Sequence, residues 1–170
     1  IADEVQSGFG RSGDFFAFQK YSITPHIISI AKGMGNGFPV GGILVNPIIK
    51  SKYGMLGTTF GGNHLACSAS LAVLQVLEKE RLYDHAKAMG EYFIEKAKTL
   101  PFVKTIKGRG LMLGLEFEKE VGALRKELIF NHRIFTGGSS NKNLIRILPP
   151  LNVQKKHLDQ LIKALEICHQ

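Results

Sequence analysis

The stretch Ile27–Gly42, IISIAKGMGNGFPVGG, decides how the rest of the chain is read. Ile27, Ile28, Ile30 and Ala31 form a short apolar run rich in β-branched residues, which predicts a buried strand. Lys32 stands where that run stops. Gly33, Gly35, Gly37, Pro39, Gly41 and Gly42 follow, and no regular element survives that density of breakers. A lysine so placed is expected to be partly buried. Partial burial disfavours an ammonium, and a lysine that gives up its proton can attack a carbonyl and form a Schiff base. The plainer reading is a strand end reaching solvent, where most lysines lie.

Upstream, Ile1 and Ala2 read as the tail of a buried strand, with Asp3 and Glu4 at its end. The C-terminal ends of strands are where open α/β sheets bind ligands, so a functional carboxylate fits there; a solvated loop acid is the alternative. Asp3 and Lys32 are 29 positions apart (32 − 3), about one strand–crossover–strand unit. That spacing predicts both at one edge of one sheet, where an acid and a lysine can bracket a ligand. Between them, Gly8, Gly10 and Gly13 punctuate a loop holding Arg11, and Phe15–Phe18 predict a short helix. The first residues open in mid-strand, so the expectation is a C-terminal fragment of a longer protein.

Downstream, Val40–Val45 predicts a strand. Gly57-Thr58-Thr59-Phe60-Gly61-Gly62-Asn63 offers hydroxyls and backbone donors that can cradle an anion; a plain loop capped at Asn63 fits equally. Leu65 to about Glu80 predicts a helix apolar on nearly every face, buried or linking two bodies. Leu82, Ala86, Met89, Phe93, Ala97 and Leu100 then mark an amphipathic helix ending at Pro101. Lys107–Gly110 reads as a turn or bulge, and Leu111, Leu113, Leu115 and Phe117 as a half-buried strand. Val121, Leu124 and Leu128 mark a helix, Ile134 and Phe135 a short strand, Leu144–Leu148 another strand, and Leu158–Leu165 a final helix. Arg146 is a lone cation in that apolar strand. A buried cation needs a partner: either a structural ion pair or a carboxylate clamped by its planar fork.

Composition excludes several classes. The 170 residues are 44% hydrophobic and 21% charged, which is ordinary for a globular chain with a core. The net charge of +8 comes from lysines dispersed among acids, without the basic runs of a nucleic-acid surface. No apolar run is long enough to span a membrane. Cys67 and Cys168 form no CxxC pair, no metal framework is visible, and Cys67 reads as a small core residue. A reducing cytoplasm is the expected location.

These segments together resemble the class III aminotransferases, enzymes of fold type I that use pyridoxal 5′-phosphate (PLP). The resemblance rests on Asp3-Glu4-Val5-Gln6, Gly10-Arg11-Ser12-Gly13, Ala31-Lys32-Gly33, Gly57–Asn63, Gly108–Met112 and Ile145-Arg146-Ile147-Leu148-Pro149-Pro150-Leu151. Ser7 and Ser12 stand where the family more often has threonine, and His26 where it often has aspartate. Within the class the chain looks most like the acetylornithine and succinylornithine aminotransferases of arginine metabolism.

The resemblance implies an α/β fold: residues 1–75 as the C-terminal part of the PLP-binding large domain, and 76–170 as a small α+β domain. It implies that Lys32 is the catalytic lysine, carrying PLP as a Schiff base. Asp3 would pair with the pyridinium nitrogen, Gln6 would bond near the phenolic oxygen, and Thr59 would reach the PLP phosphate of a neighbouring subunit in a homodimer. Arg146 would bind a substrate carboxylate. No metal is implied. The expected reaction moves the δ-amino group of an N-acylated ornithine to 2-oxoglutarate; free ornithine, 4-aminobutyrate or another ω-amine are alternative donors. The family's main phosphate-binding turn and ring-stacking aromatic would lie before Ile1, so this stretch alone is expected to be inactive. A non-catalytic module binding anionic partners is a reading of a different class, and it gives no reason for Asp3, Lys32, Thr59 and Arg146 together.

Overall fold

A computed structural model describes residues 1–169. The chain divides into two compact units, Ile1–Tyr83 and Asp84–Gln170.

The first unit is built on a three-stranded sheet, in the order β1 (Ala2–Asp3), β2 (Ile27–Ile30) and β3 (Gly42–Val45). β2 runs parallel to β1, with Asp3 opposite Ser29, and antiparallel to β3. The parallel pair agrees with the expected spacing. The crossover carries a short 3-10 helix, Ala17–Tyr21, in place of an α-helix. Phe9 is buried in this crossover, its ring 5.5 Å from Phe15 and 6.0 Å from Phe16. Apolar β3 is uncovered: Ile43, Leu44 and Val45 are all exposed.

Helix α1 (His64–Lys79) starts where Asn63 Oδ1 accepts the Ala66 N–H at 3.0 Å, a side-chain N-cap. Its apolar faces predicted a helix that is buried or that links two bodies. Only Ala66, Ser70 and Leu77 are buried, while Leu65, Leu71 and Val76 face solvent. Positions 66, 70 and 77 share one helix stripe. Cys67, one residue round from it, is exposed and is not a core residue.

The second unit holds the main core. Most of α2 (Leu82–Ala97) belongs to it, with an antiparallel sheet in the order β4 (Val103–Arg109), β5 (Met112–Phe117) and β6 (Leu144–Ile147). Helices α3 (Gly122–Phe130) and α4 (Lys155–Ile167) complete it. The α2 stripe Ala86, Met89, Phe93 and Ala97 is buried, as its spacing predicted. Leu113 faces Ile147 and Leu115 faces Ile145 on the covered side of the sheet. Each such side chain removed from water contributes roughly 1.5–3 kcal/mol. The approach of α2 to the β4–β5 turn is tight enough to demand glycine, since a Cβ on Gly90 would lie 2.0 Å from Gly110 O.

Two expectations fail here. Lys107–Arg109 belongs to a strand, and the turn is Gly110-Leu111. A register shift between Val103 and Thr105 hides the strand's alternation. Ile134 and Phe135 form no strand; the nearest pairing is one bridge between Gly137 and Arg146. Among the described residues no helix is long and apolar enough to cross a membrane.

Candidate active site

The parallel pairing of β1 and β2 sets the first part of the site. Asp3 Oδ1 accepts two hydrogen bonds, from Ser29 Oγ and from Val5 N, each at 3.1 Å. Both bonds go to one oxygen, so the carboxylate is oriented while Oδ2 has no donor among the described residues. Gln6 follows on the same turn, half-buried, and its carboxamide makes no hydrogen bond among the described residues.

Lys32 lies beyond Ser29 at the same end of β2. It opens a 3-10 turn, Lys32–Met34, held by Met34 N donating to Ala31 O and Gly35 N donating to Lys32 O, both at 3.1 Å. Its φ is 46°, in the left-handed region that costs a side-chain-bearing residue about 1 kcal/mol or more. Such strain persists where the surroundings fix it, and it gathers at ligand sites. The side chain is exposed, not partly buried as the apolar strand before it predicted. The Lys32 amine has no hydrogen bond or ion pair among the described residues.

Glu4 is a feature the sequence did not single out. It is 2% exposed, and its carboxylate accepts from Phe18 N at 2.9 Å and from Ser7 Oγ. It also receives at its own Glu4 O the N–H of Gly8. Glu4 therefore holds the loop that follows Asp3 and Gln6. Neither charge nor spacing marks it, because its burial depends on where Phe18 is brought by the crossover. In the same crossover, burial pushes the pKa of Arg11 down.

Thr59 lies in the exposed loop before α1. Thr58 Oγ1 accepts the Gly61 N–H at 3.1 Å, closing that loop. Thr59 makes no hydrogen bond among the described residues, and none ties it to Asp3, Gln6 or Lys32. The structure thus gathers Asp3, Gln6 and Lys32 at one sheet edge and leaves Thr59 on a separate loop.

Arg146 belongs to the second unit. It stands on the sheet face opposite Ile145 and Ile147, opposite Gly114 of β5 and bridged to Gly137 on its other side. A Cβ at Gly137 would lie 3.0 Å from Arg146 Cβ and 3.3 Å from its Nε. The missing side chain at Gly137 leaves room beside Arg146, whereas Gly114 makes room for Leu144. Arg146 forms no ion pair among the described residues, so the structural pair considered from sequence is not made. Its Nε is buried without a partner.

A carboxylate with one oxygen fixed and one unengaged, an unpartnered carboxamide and an unpartnered amine share one edge. Groups of these types suit a cofactor such as PLP, which offers a ring nitrogen, a phenolic oxygen and an aldehyde. The orphaned Nε of Arg146 fits one arm of a substrate carboxylate.

The fold is a mixed α/β one, with an acid, a carboxamide and a lysine at one sheet edge. The family model for aminotransferase class-III matches residues 1–168, and the chain belongs to that family. It is 45% identical to an acetylornithine aminotransferase of Aquifex aeolicus, over 97% of this chain and 43% of the relative. It is 36% identical to an ornithine aminotransferase of an Exiguobacterium species, over 98% of this chain and 42% of the relative. Among solved structures, the ornithine aminotransferase of Plasmodium yoelii matches with a TM-score of 0.87 and 31% identity, covering 98% of this chain and 48% of that one. The chain therefore spans less than half the length of these relatives.

Proposed function

We propose that the protein containing this chain transfers the δ-amino group of an N-acylated ornithine, N-acetyl- or N-succinylornithine, to 2-oxoglutarate, giving a semialdehyde and glutamate in arginine metabolism. The observation that carries the reading is the strained Lys32 turn at the end of β2, beside the oriented Asp3 of β1. Relatives named acetylornithine aminotransferase support the donor. An ornithine donor is the second reading, supported by relatives of that name.

PLP, when bound, supplies an electron sink that stabilises negative charge on the carbon bearing the amine. Lys32 Nζ would hold the cofactor covalently until the substrate amine displaces it, and the freed amine would then serve as the base and acid that moves the substrate's proton. Asp3, through Oδ2, would accept a hydrogen bond from the ring N–H and would favour the protonated nitrogen. Gln6 donates toward the phenolic oxygen. Arg146 grips a carboxylate of glutamate or 2-oxoglutarate with its fork. Thr59 donates to the cofactor phosphate held in a second subunit, which makes the site a property of a homodimer. In this reading residues 1–75 close the large domain and 76–170 form the small one, and the enzyme works in the cytoplasm.

The test is a peptide map of the complete protein after borohydride reduction in the presence of PLP. The expected label sits on Lys32. A label on another lysine, or full transamination by Lys32→Ala, overturns the reading. Half-reactions with N-acetylornithine, N-succinylornithine, ornithine and 4-aminobutyrate, followed by the loss of the cofactor's yellow absorbance, separate the donors.

A further inference from the structure

Away from that site, the second unit brings together three side chains of different chemistry. Glu127 lies in the last turn of α3, His132 lies just past its end, and Cys168 caps the C-terminus of α4. A carboxylate oxygen, an imidazole nitrogen and the thiol sulfur all lie within 4.8 Å of one another. His132 and Cys168 are half-buried, and Glu127 is exposed. We propose that Glu127, His132 and Cys168 form a binding site for a divalent transition-metal ion of the zinc type, joining the end of α3 to the end of α4.

The donor set argues for that class of ion. One thiolate, one imidazole and one carboxylate suit zinc, whereas magnesium and calcium take oxygen donors. Zinc bonds of about 2.0–2.3 Å in a tetrahedron put ligand atoms roughly 3.4 Å apart. Closing from 4.8 Å asks for a small adjustment, and the exposed Glu127 side chain can supply it. The fourth position is left to water.

The surroundings agree. Asn131 Nδ2 donates to Glu127 Oε1 at 2.6 Å, which orients the carboxylate from outside, as the supporting groups of metal sites do. Glu127 has no ion pair, and the ring of His132 no hydrogen bond, among the described residues. The second carboxylate oxygen of Glu127 and the His132 ring are therefore free to take an ion. A divalent ion binds the Cys168 thiolate, and the thiol proton passes to solvent. The backbone around the ligands is set independently of any ion, through Asn131 N to Glu127 O at 3.0 Å and Cys168 N to Ala164 O at 3.0 Å.

The test uses the complete protein, untagged and stripped of metal by a chelator, with Co(II) as probe and Zn(II) as competitor. One equivalent of Co(II) should give a thiolate-to-cobalt charge-transfer band, read as a difference against the zinc-loaded protein. Cys168→Ser should abolish the band and Cys67→Ser should leave it. His132→Ala should weaken Zn(II) binding more than tenfold, and Asn131→Ala about tenfold. If Cys168→Ser does not fold, alkylation of the unmutated protein decides the matter: Zn(II) should shield Cys168 and not Cys67, as read by mass mapping. No band, a band that survives in Cys168→Ser or vanishes in Cys67→Ser, or equal alkylation of Cys168 with and without Zn(II), overturns the proposal.

Discussion

Ser29 Oγ donates to Asp3 Oδ1 at 3.1 Å across the parallel β1–β2 pair. Val5 N is the other donor to that oxygen. A neutral hydroxyl thus orients a carboxylate, which in the proposed reading faces a pyridinium N–H. Ser29→Ala should leave Asp3 less well oriented. The expected loss is about 1 kcal/mol, or roughly fivefold in PLP affinity, read by spectral titration of the complete protein. Asp3→Asn should cost more, because it removes the charge that keeps the ring nitrogen protonated.

Gly137 keeps clear the flank of Arg146. A methyl there would sit 3.0 Å from Arg146 Cβ and 3.3 Å from Nε. Gly137→Ala should raise KM for 2-oxoglutarate about tenfold with kcat little changed, since a clamp serves ground state and transition state alike. Arg146→Lys keeps the charge and loses the fork, with an expected cost of roughly 1.5–3 kcal/mol in kcat/KM for that substrate. Steady-state kinetics with the keto acid varied would show both effects.

Two helical glycines should respond in opposite ways. Gly90→Ala drives a Cβ to 2.0 Å from Gly110 O, and backbone on both sides cannot step aside cheaply. A loss of about 1–3 kcal/mol or more is expected in urea unfolding of the complete protein. Gly122, at the start of α3, has nothing within 4 Å of the added atom. Gly122→Ala should be neutral or stabilising by up to about 1 kcal/mol.

Glu116 should give the second sheet a pH-dependent strut. Lys107 Nζ lies 2.7 Å from Glu116 Oε2, and Asn141 Nδ2 donates to Oε1 at 2.8 Å. Those bonds, Lys107 first, hold its carboxyl below the ordinary carboxylate range. A carboxyl depressed in the folded state stabilises it above the unfolded pKa, and that contribution fades as pH falls through the folded pKa. The contribution is therefore whole at neutral pH and lost in acid, below about pH 4. Glu116→Gln should flatten this part of the acid loss. NMR titration of the Glu116 carboxyl should give a midpoint that rises in Lys107→Met.

How much of this was legible in the sequence depended on whether a residue's partner was near in sequence. The α2 stripe from Ala86 to Ala97 and the alternation of Leu113, Leu115 and Phe117 announced their buried faces. The spacing of Asp3 and Lys32 announced a parallel pair, and Asn63 its cap. β4 was hidden by charged residues, Gly108 and a register shift. In α1, and at Lys32 after its apolar strand, hydrophobicity does not decide between burial and exposure, and Lys32 is exposed as the plainer reading of a strand end has it. A run such as Leu65–Leu77 reports an affinity for cover and not which body supplies it. The buried role of Glu4 and the meeting of Cys168 with His132, 36 positions away (168 − 132), are tertiary facts with no local sign.

Adjacent acids at Asp3 and Glu4 also guard the alignment of the strands. One lies outward and the other is sealed inside with its bonds satisfied. Because side chains alternate along a strand, sliding β1 by a single residue would exchange them. The shorter aspartate would then be entombed without donors, and the glutamate would be pulled out of its cage. Misaligned pairings thus carry an unanswered negative charge, so the sheet edge is correct or it does not form.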